Sequence, residues 1–316
     1  MNAELETLFP KEERGFWGRA FHFVTGITEV RMRAEKPVLL YAGGREYCLM
    51  PDGQPREVLS VREGGDGRVA MRGRVLTPKE LSAFLLHFCR DSLYAYEEEL
   101  REGYLTLEGG HRLGVAGEVI LEKGRVQNVK HVQYLNLRVA REAIGAADVI
   151  LPRVYRNGEL RSVLIASPPG CGKTTMLRDL IRQVANGNVY GKGVTVGVVD
   201  ERGEIGGSFL GVTQNDLGLR TDVLGGCPKA LGMRMMIRSM GPAVLAVDEL
   251  GKPEDAEELR EALRCGVKVL ATLHGESIRD VRERGLDQLF EVIFFLGRGS
   301  PVPRLLKIWE REEGFE

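Results

Sequence analysis

Long apolar runs, paired cysteines and an excess of either charge are all missing from this 316-residue chain. No stretch approaches the roughly 18 consecutive apolar residues that a membrane-spanning helix needs, so any membrane role goes through a partner or a surface contact. The five cysteines, at 48, 89, 171, 227 and 265, are odd in number and form no C-x-x-C pair. That argues against a disulfide framework or a zinc site and fits reduced thiols in a cytosolic protein. Lys and Arg number 44 against 45 Asp and Glu, a formal net charge of −1. Such balance argues against a strongly basic nucleic-acid binder, although a local patch can hide in the average. The opening stretch, MNAELETLFPKEERG, lacks the basic start and apolar core of a signal peptide. There is no internal repeat and no low-complexity segment. What is present is an ordinary globular composition, 43% hydrophobic and 28% charged, with 40 glycines, in a length that suits about two domains.

The two halves read differently. The first is α+β. Residues 27–50 alternate like strands, and 77–103 read as a helix with Thr77 as N-cap and Glu80 as its capping-box partner. Residues 103–129 give short strands joined by glycine turns, and 134–141 another strand. The stretch 14–24, RGFWGRAFHFV, mixes basic and aromatic residues. It reads as a helix packed on its own domain, with a membrane-surface or partner contact as the alternative. Turn signals over 142–162 place the domain junction there, giving domains at 1–145 and 161–316 with a linker at 146–160. The second half alternates strands (162–166, 193–199, 243–247, 267–272, 291–296) with helices (173–186, 228–239, 253–265, 277–289). That is the pattern of a mostly parallel α/β sheet.

Between the first of these strands and its helix stands SPPGCGKTTM, residues 167–176. It matches the phosphate-binding loop G-x-x-x-x-G-K-[ST] except that Ser167 replaces the first glycine. The chemistry asks for these residue types. Gly170 and Gly172 let the chain turn tightly, so backbone N–H groups converge on phosphate oxygens at a helix N-terminus. Lys173 reaches toward the β- and γ-phosphates, and Thr174 offers its hydroxyl to Mg²⁺. The expected nucleotide cradle is Ser167, Pro168, Pro169, Gly170, Cys171, Gly172, Lys173, Thr174 and Thr175. Cys171, beside Lys173 and a helix N-terminus, is expected to be a reactive thiol that nucleotide protects.

Acidic strand ends accompany the loop. PAVLAVDEL (242–250) is an apolar strand ending in Asp248, placed to hold Mg²⁺, and Glu249, placed to polarise an attacking water. VGVVDERGEI (196–205) ends in Asp200, Glu201 and Glu204. One of these, with Glu204 the first choice, is expected in the water and magnesium network. KVLATLHGES (267–276) brings Thr272 and His274 to the same strand edge, where they can sense the γ-phosphate or couple it to motion.

The order phosphate loop, acidic strand end, Asp-Glu strand and T-L-H strand resembles the type II/type IV secretion ATPase superfamily over roughly 160–276, with its Walker A, Asp box, Walker B and His box. The stretch RTDVLGGCPKALGMRMMIRSMGPAVLAVDELG (220–251), with VDERGEI and ITEVRMR, resembles the stage III sporulation protein AA family over nearly the whole chain. The resemblance implies an α/β, RecA-like P-loop ATPase domain behind a smaller α+β N-terminal domain, assembled as a ring, normally a hexamer. It implies ATP and Mg²⁺ as cofactors and hydrolysis that drives domain motion. It places the family in the mother-cell cytoplasm, held at the membrane by integral-membrane subunits of a sporulation channel complex. It also points to Arg112 and Arg138 as arginines that complete the site from another domain or subunit, ahead of Arg202, Arg234 and Arg238. No nucleic-acid partner is expected. The alternatives are a nucleic-acid-dependent RecA-like motor and a nucleotide-gated binding module without turnover.

Overall fold

Alternating apolar side chains build the first sheet. In the computed structural model, which describes residues 5–58, 72–141, 144–299, 302–311 and 314–315, β1 (Ile27–Arg33) buries Ile27, Val30 and Met32. Then come β2 (Leu39–Ala42), β3 (Arg45–Leu49), β4 (Pro55–Glu57), β5 (Tyr104–Thr106), β6 (Arg112–Glu122) and β7 (Arg125–Arg138). They form one seven-stranded antiparallel sheet, ordered β4-β3-β2-β1-β7-β6-β5. Helix α1 (Arg14–Phe23) buries Trp17, Ala20 and Phe21, and the Trp17 ring stacks on Phe9 at 4.0 Å. Its buried aromatic face therefore packs inside its own unit, the first of the two expected arrangements.

Helix α2 (Pro78–Phe88) starts with the expected capping box. Thr77 Oγ1 accepts from Glu80 N at 3.3 Å, and Glu80 Oε2 accepts from Thr77 N at 2.8 Å. It buries Leu81, Phe84, Leu85 and Phe88. The single helix expected over 77–103 does not form. Arg90 and Asp91 take left-handed backbones, φ 49° and 61°, and a 3-10 turn (Leu93–Tyr96) and the short α3 (Glu97–Arg101) follow.

The chain divides into two compact units, Met1–Arg141 and Glu142–Glu316; residues 142 and 143 of the expected junction lie outside the described set. The second unit opens with α4 (Leu151–Val154) and the hairpin β8 (Tyr155–Arg156)–β9 (Glu159–Leu160). Next come β10 (Val163–Ser167), α5 (Lys173–Asn186), the small hairpin β11 (Gly187–Asn188)–β12 (Gly191–Lys192), β13 (Val196–Asp200) and β14 (Thr221–Gly225). They are followed by α6 (Lys229–Met240), β15 (Val244–Leu250), α7 (Pro253–Arg264), β16 (Lys268–His274), α8 (Ile278–Glu283), β17 (Val292–Gly297), β18 (Arg304–Glu310) and β19 (Gly314–Phe315). The sheet order is β14-β13-β15-β16-β10-β17-β18-β19, parallel through β17 and antiparallel at its last two strands.

The apolar strand runs reflect burial on both faces. Val163, Ile165, Val198, Ala246 and Leu270 pack with α5 on one side. Leu164, Ala166, Val199, Leu245 and Ala271 pack with α6 and α7 on the other. The helix expected over 277–289 ends at Glu283, because Gly285 takes φ 65° and stops it. Among the described residues no helix is long and apolar enough to cross a membrane.

Candidate functional site

Strand order decides what meets at the C-terminal edge of this sheet. β16 lies between β10 and β15, so the strand carrying the phosphate loop and the strand carrying Asp248-Glu249 are not neighbours. The end of β16 stands between them, with His274 in register with Ser167.

The loop at residues 168–172 takes the expected turns. Gly170 and Gly172 have φ 77° and 85°, the left-handed region that side chains resist. Gly172 is also the N-cap of α5, and a Cβ there would come within 3.0 Å of Val302 and 3.1 Å of Pro303. Ser167 needs no such freedom. It is not among the described residues with positive φ, it is fully buried, and its hydroxyl donates to Pro168 O at 2.8 Å. The departure from the glycine pattern is therefore conformationally neutral. Pro168 is half-buried and Pro169 and Gly170 are exposed, while Thr174 and Thr175 are half-buried in the first turn of α5, whose free N–H groups face the loop. Cys171 does not match its expectation. Its side chain is 1% exposed and packs in the core beneath α5, so only its backbone belongs to the loop.

Lys173 is 7% exposed. Its ammonium donates to Ser167 O and Pro168 O, both at 3.3 Å, and lies 3.1 Å from His274 Nδ1. Burial pushes Lys173 below the usual lysine value, and the charges of Asp248, Glu249 and Glu204 pull the other way. An ammonium can only donate, so His274 Nδ1 accepts and Nε2 carries the proton. That Nε2 lies 3.0 Å from Glu249 Oε1, and Arg202 donates to Glu249 Oε2 at 3.0 Å. Glu249 is thus held on both oxygens.

Asp248 is held as well. Thr174 Oγ1 donates to its Oδ2 at 2.7 Å and Thr272 donates to its Oδ1. The same Thr272 hydroxyl accepts from Glu249 N at 2.7 Å. Glu249 itself takes φ 51°, and the β15–β16 register shifts between Val247 and Leu250. A non-glycine residue in that conformation at a strand end is the kind of strain found where function needs a side chain aimed.

The acids after β13 separate. Asp200 is 2% exposed and accepts the N–H groups of Glu204, Ile205 and Gly206 at 2.8, 3.2 and 2.7 Å. Burial raises its carboxyl, as does the charge of Asp248, against those three bonds. It folds the turn. Glu201 pairs with Lys229 at 2.7 Å. The Glu204 carbonyl accepts from Arg178 at 3.0 Å. Arg202, passed over in favour of other arginines, is the residue of this turn that reaches the acid pair. Nothing periodic in the sequence marks it, because its partner is 47 residues away. Arg234 pairs with Glu258 instead.

Arg112 and Arg138 belong to the first unit. They are cross-strand partners on β6 and β7, and the Arg112 guanidinium lies 3.6 Å over the Tyr104 ring.

The profile of the family described as "Sporulation stage III, protein AA" matches residues 13–312. The chain belongs to that family. The stage III sporulation protein AA of Bacillus subtilis (strain 168) is 41% identical over 266 residues, 84% of this chain and 79% of that one. Among solved structures, the Legionella pneumophila ATPase DotB aligns over 96% of this chain and 81% of its own, with a TM-score of 0.58 at 15% identity. The pilus retraction motor PilT, solved with bound ADP, aligns over 89% and 78%, with a TM-score of 0.58 at 17% identity. At such identities the likeness is one of fold: along the chain, a unit with an antiparallel sheet is followed by a RecA-like P-loop unit, as in DotB and PilT.

Proposed function

We propose that this stage III sporulation protein AA family member binds ATP with Mg²⁺ and hydrolyses it, and that turnover drives domain motion in a ring, normally a hexamer, that energises a membrane channel complex during sporulation. One observation carries the reading. The Thr174 hydroxyl at the helix N-terminus lies 2.7 Å from Asp248, and Glu249 follows directly. Hydroxyl and carboxylate oxygens at a phosphate loop are a donor set that suits Mg²⁺. When bound, the ion would neutralise charge on the phosphates.

The chain's own residues do the rest. Loop amides and Lys173 hold the phosphates, Thr174 and Asp248 hold the ion, and Glu249 orients and deprotonates water. His274 and Arg202 fix the Glu249 carboxylate. Arg112 and Arg138 complete the charge stabilisation from another domain or subunit. Integral-membrane subunits hold the ring at the membrane from the cytoplasmic side.

The test is phosphate release from Mg-ATP together with binding of a fluorescent ATP. Wild type should do both, and Lys173→Ala should do neither. Specific activity should rise with protein concentration, and Arg138→Ala should lower the rate while sparing affinity. No phosphate release above a no-protein control refutes hydrolysis. Stimulation by single-stranded DNA would favour the nucleic-acid motor.

A further inference from the structure

Apart from the direct Thr174–Asp248 bond, the strand that leads into the phosphate loop meets the strand of the acid pair through β16, which lies between them. The residue at the crossing is Thr272, fully buried and in register with Ile165 of β10. On its other side lies the register break of β15, between Val247 and Leu250. One hydroxyl there serves two acids. Its proton goes to Asp248 Oδ1, and its oxygen takes the N–H of Glu249 at 2.7 Å. A hydroxyl has a single proton and spare lone pairs, so the donor–acceptor pattern is fixed.

We propose that Thr272 is a positioning residue whose hydroxyl sets Asp248 against Thr174 and holds the Glu249 backbone in the left-handed turn that aims its carboxylate. The inference rests on the hydrolase reading of the same site. Asp248 has two oxygens, and Thr272 claims one, leaving Oδ2 for Thr174 at 2.7 Å. Without Thr272, Asp248 can rotate away. Glu249 falls in the register break between β15 and β16, and its N–H bonds the Thr272 hydroxyl, so without that hydroxyl the φ of 51° loses this hold.

The experiment compares Thr272→Val, which keeps shape and removes the hydroxyl, with Thr272→Ser, which keeps the hydroxyl and removes the methyl. Two quantities are read: steady-state phosphate release, and the Mg²⁺ concentration needed for half-maximal binding of a fluorescent ATP. A misaimed group costs on the order of 10²-fold in rate. Thr272→Val should therefore lose about that much in kcat with KM little changed, and should need several-fold more Mg²⁺. Thr272→Ser should return both toward wild type. Wild-type kcat and Mg²⁺ requirement in Thr272→Val overturn the proposal. So does equal impairment of Val and Ser, which would assign the residue to packing. If Thr272→Val does not fold by circular dichroism, Thr272→Cys, a weak donor of similar size, is read in its place. If wild type itself releases no phosphate, the hydrolase reading fails, and the Mg²⁺ requirement alone decides whether Thr272 sets Asp248.

Discussion

Replacing Glu249 by Gln separates binding from chemistry, because the two side chains have the same shape and differ in what they accept. The native carboxylate takes His274 at 3.0 Å on one oxygen and Arg202 at 3.0 Å on the other. An amide offers one oxygen, so one of these two donors faces an NH₂ group instead. The side chains are 35%, 37% and 58% exposed for Glu249, His274 and Arg202. Water screens such pairs, and each contributes at most about 1 kcal/mol. A shift in melting temperature of no more than a few degrees follows. The rate should fall much further. A positioned general base contributes about 10²- to 10⁴-fold, equivalent to roughly 3–5 kcal/mol of barrier at 1.36 kcal/mol per decade. Lys173, Thr174 and the loop amides are untouched, so ATP affinity should stay within about threefold. Phosphate release, fluorescent-ATP binding and a thermal melt, run on one preparation, measure all three quantities. Turnover near the wild-type rate refutes the role given to Glu249. A loss of affinity as large as the loss of rate refutes the claim that it acts on chemistry alone.

Three further outcomes follow from the same geometry. Ser167→Gly should leave nucleotide affinity within about twofold, because the position is not left-handed and its hydroxyl bonds within the loop; a tenfold change would show that the serine contacts the ligand. Brief maleimide labelling with peptide mapping should mark exposed Cys265 first and leave buried Cys48, Cys89 and Cys171 behind it, with or without nucleotide; rapid labelling of Cys171 would contradict its place in the core. For Asp179, burial alone would raise the carboxyl, but the Ala147 N–H, Arg182 and Gln183 outweigh it and hold it below the ordinary 3.8. Its contribution is therefore present above that value and lost as pH falls through the lower native one. The gap in urea midpoint between wild type and Asp179→Asn should be full at pH 7 and shrink below about pH 4; a gap that persists undiminished at pH 2 would refute the assignment.

What could be read from the sequence was what is local in it. The phosphate-loop motif occupies eight consecutive residues, 167–174, and its two left-handed glycines are marked by type. The five central strands are apolar runs that burial on both faces requires. Helix α2 announced itself by Thr77 and Glu80. Elements whose stability comes from elsewhere were not legible. The helix expected over 77–103 breaks at Arg90-Asp91, residues that carry no glycine or proline warning. β14 runs TDVLG without full burial, and β18 exposes Leu306 and Lys307. Neither shows the continuous apolar run that marked the centre of the sheet.

The site follows the same rule at longer range. Lys173 and Thr174 were identifiable because the loop is contiguous, and Asp248-Glu249 because an apolar strand ends in two acids. Thr272 and His274 were placed at the same strand edge, but which groups they join was not identifiable, because it depends on strand order. A sequence lists β10, β13, β15 and β16 in turn, but the sheet inserts the last of these between the first and third. That single permutation puts Thr272 between two acids 23 and 24 residues away, and His274 between Lys173 and Glu249. A threonine and a histidine at a strand end carry no signal of such partners. Their placement follows from topology, and the chemistry proposed for Asp248 and Glu249 depends on it as much as on the acids themselves.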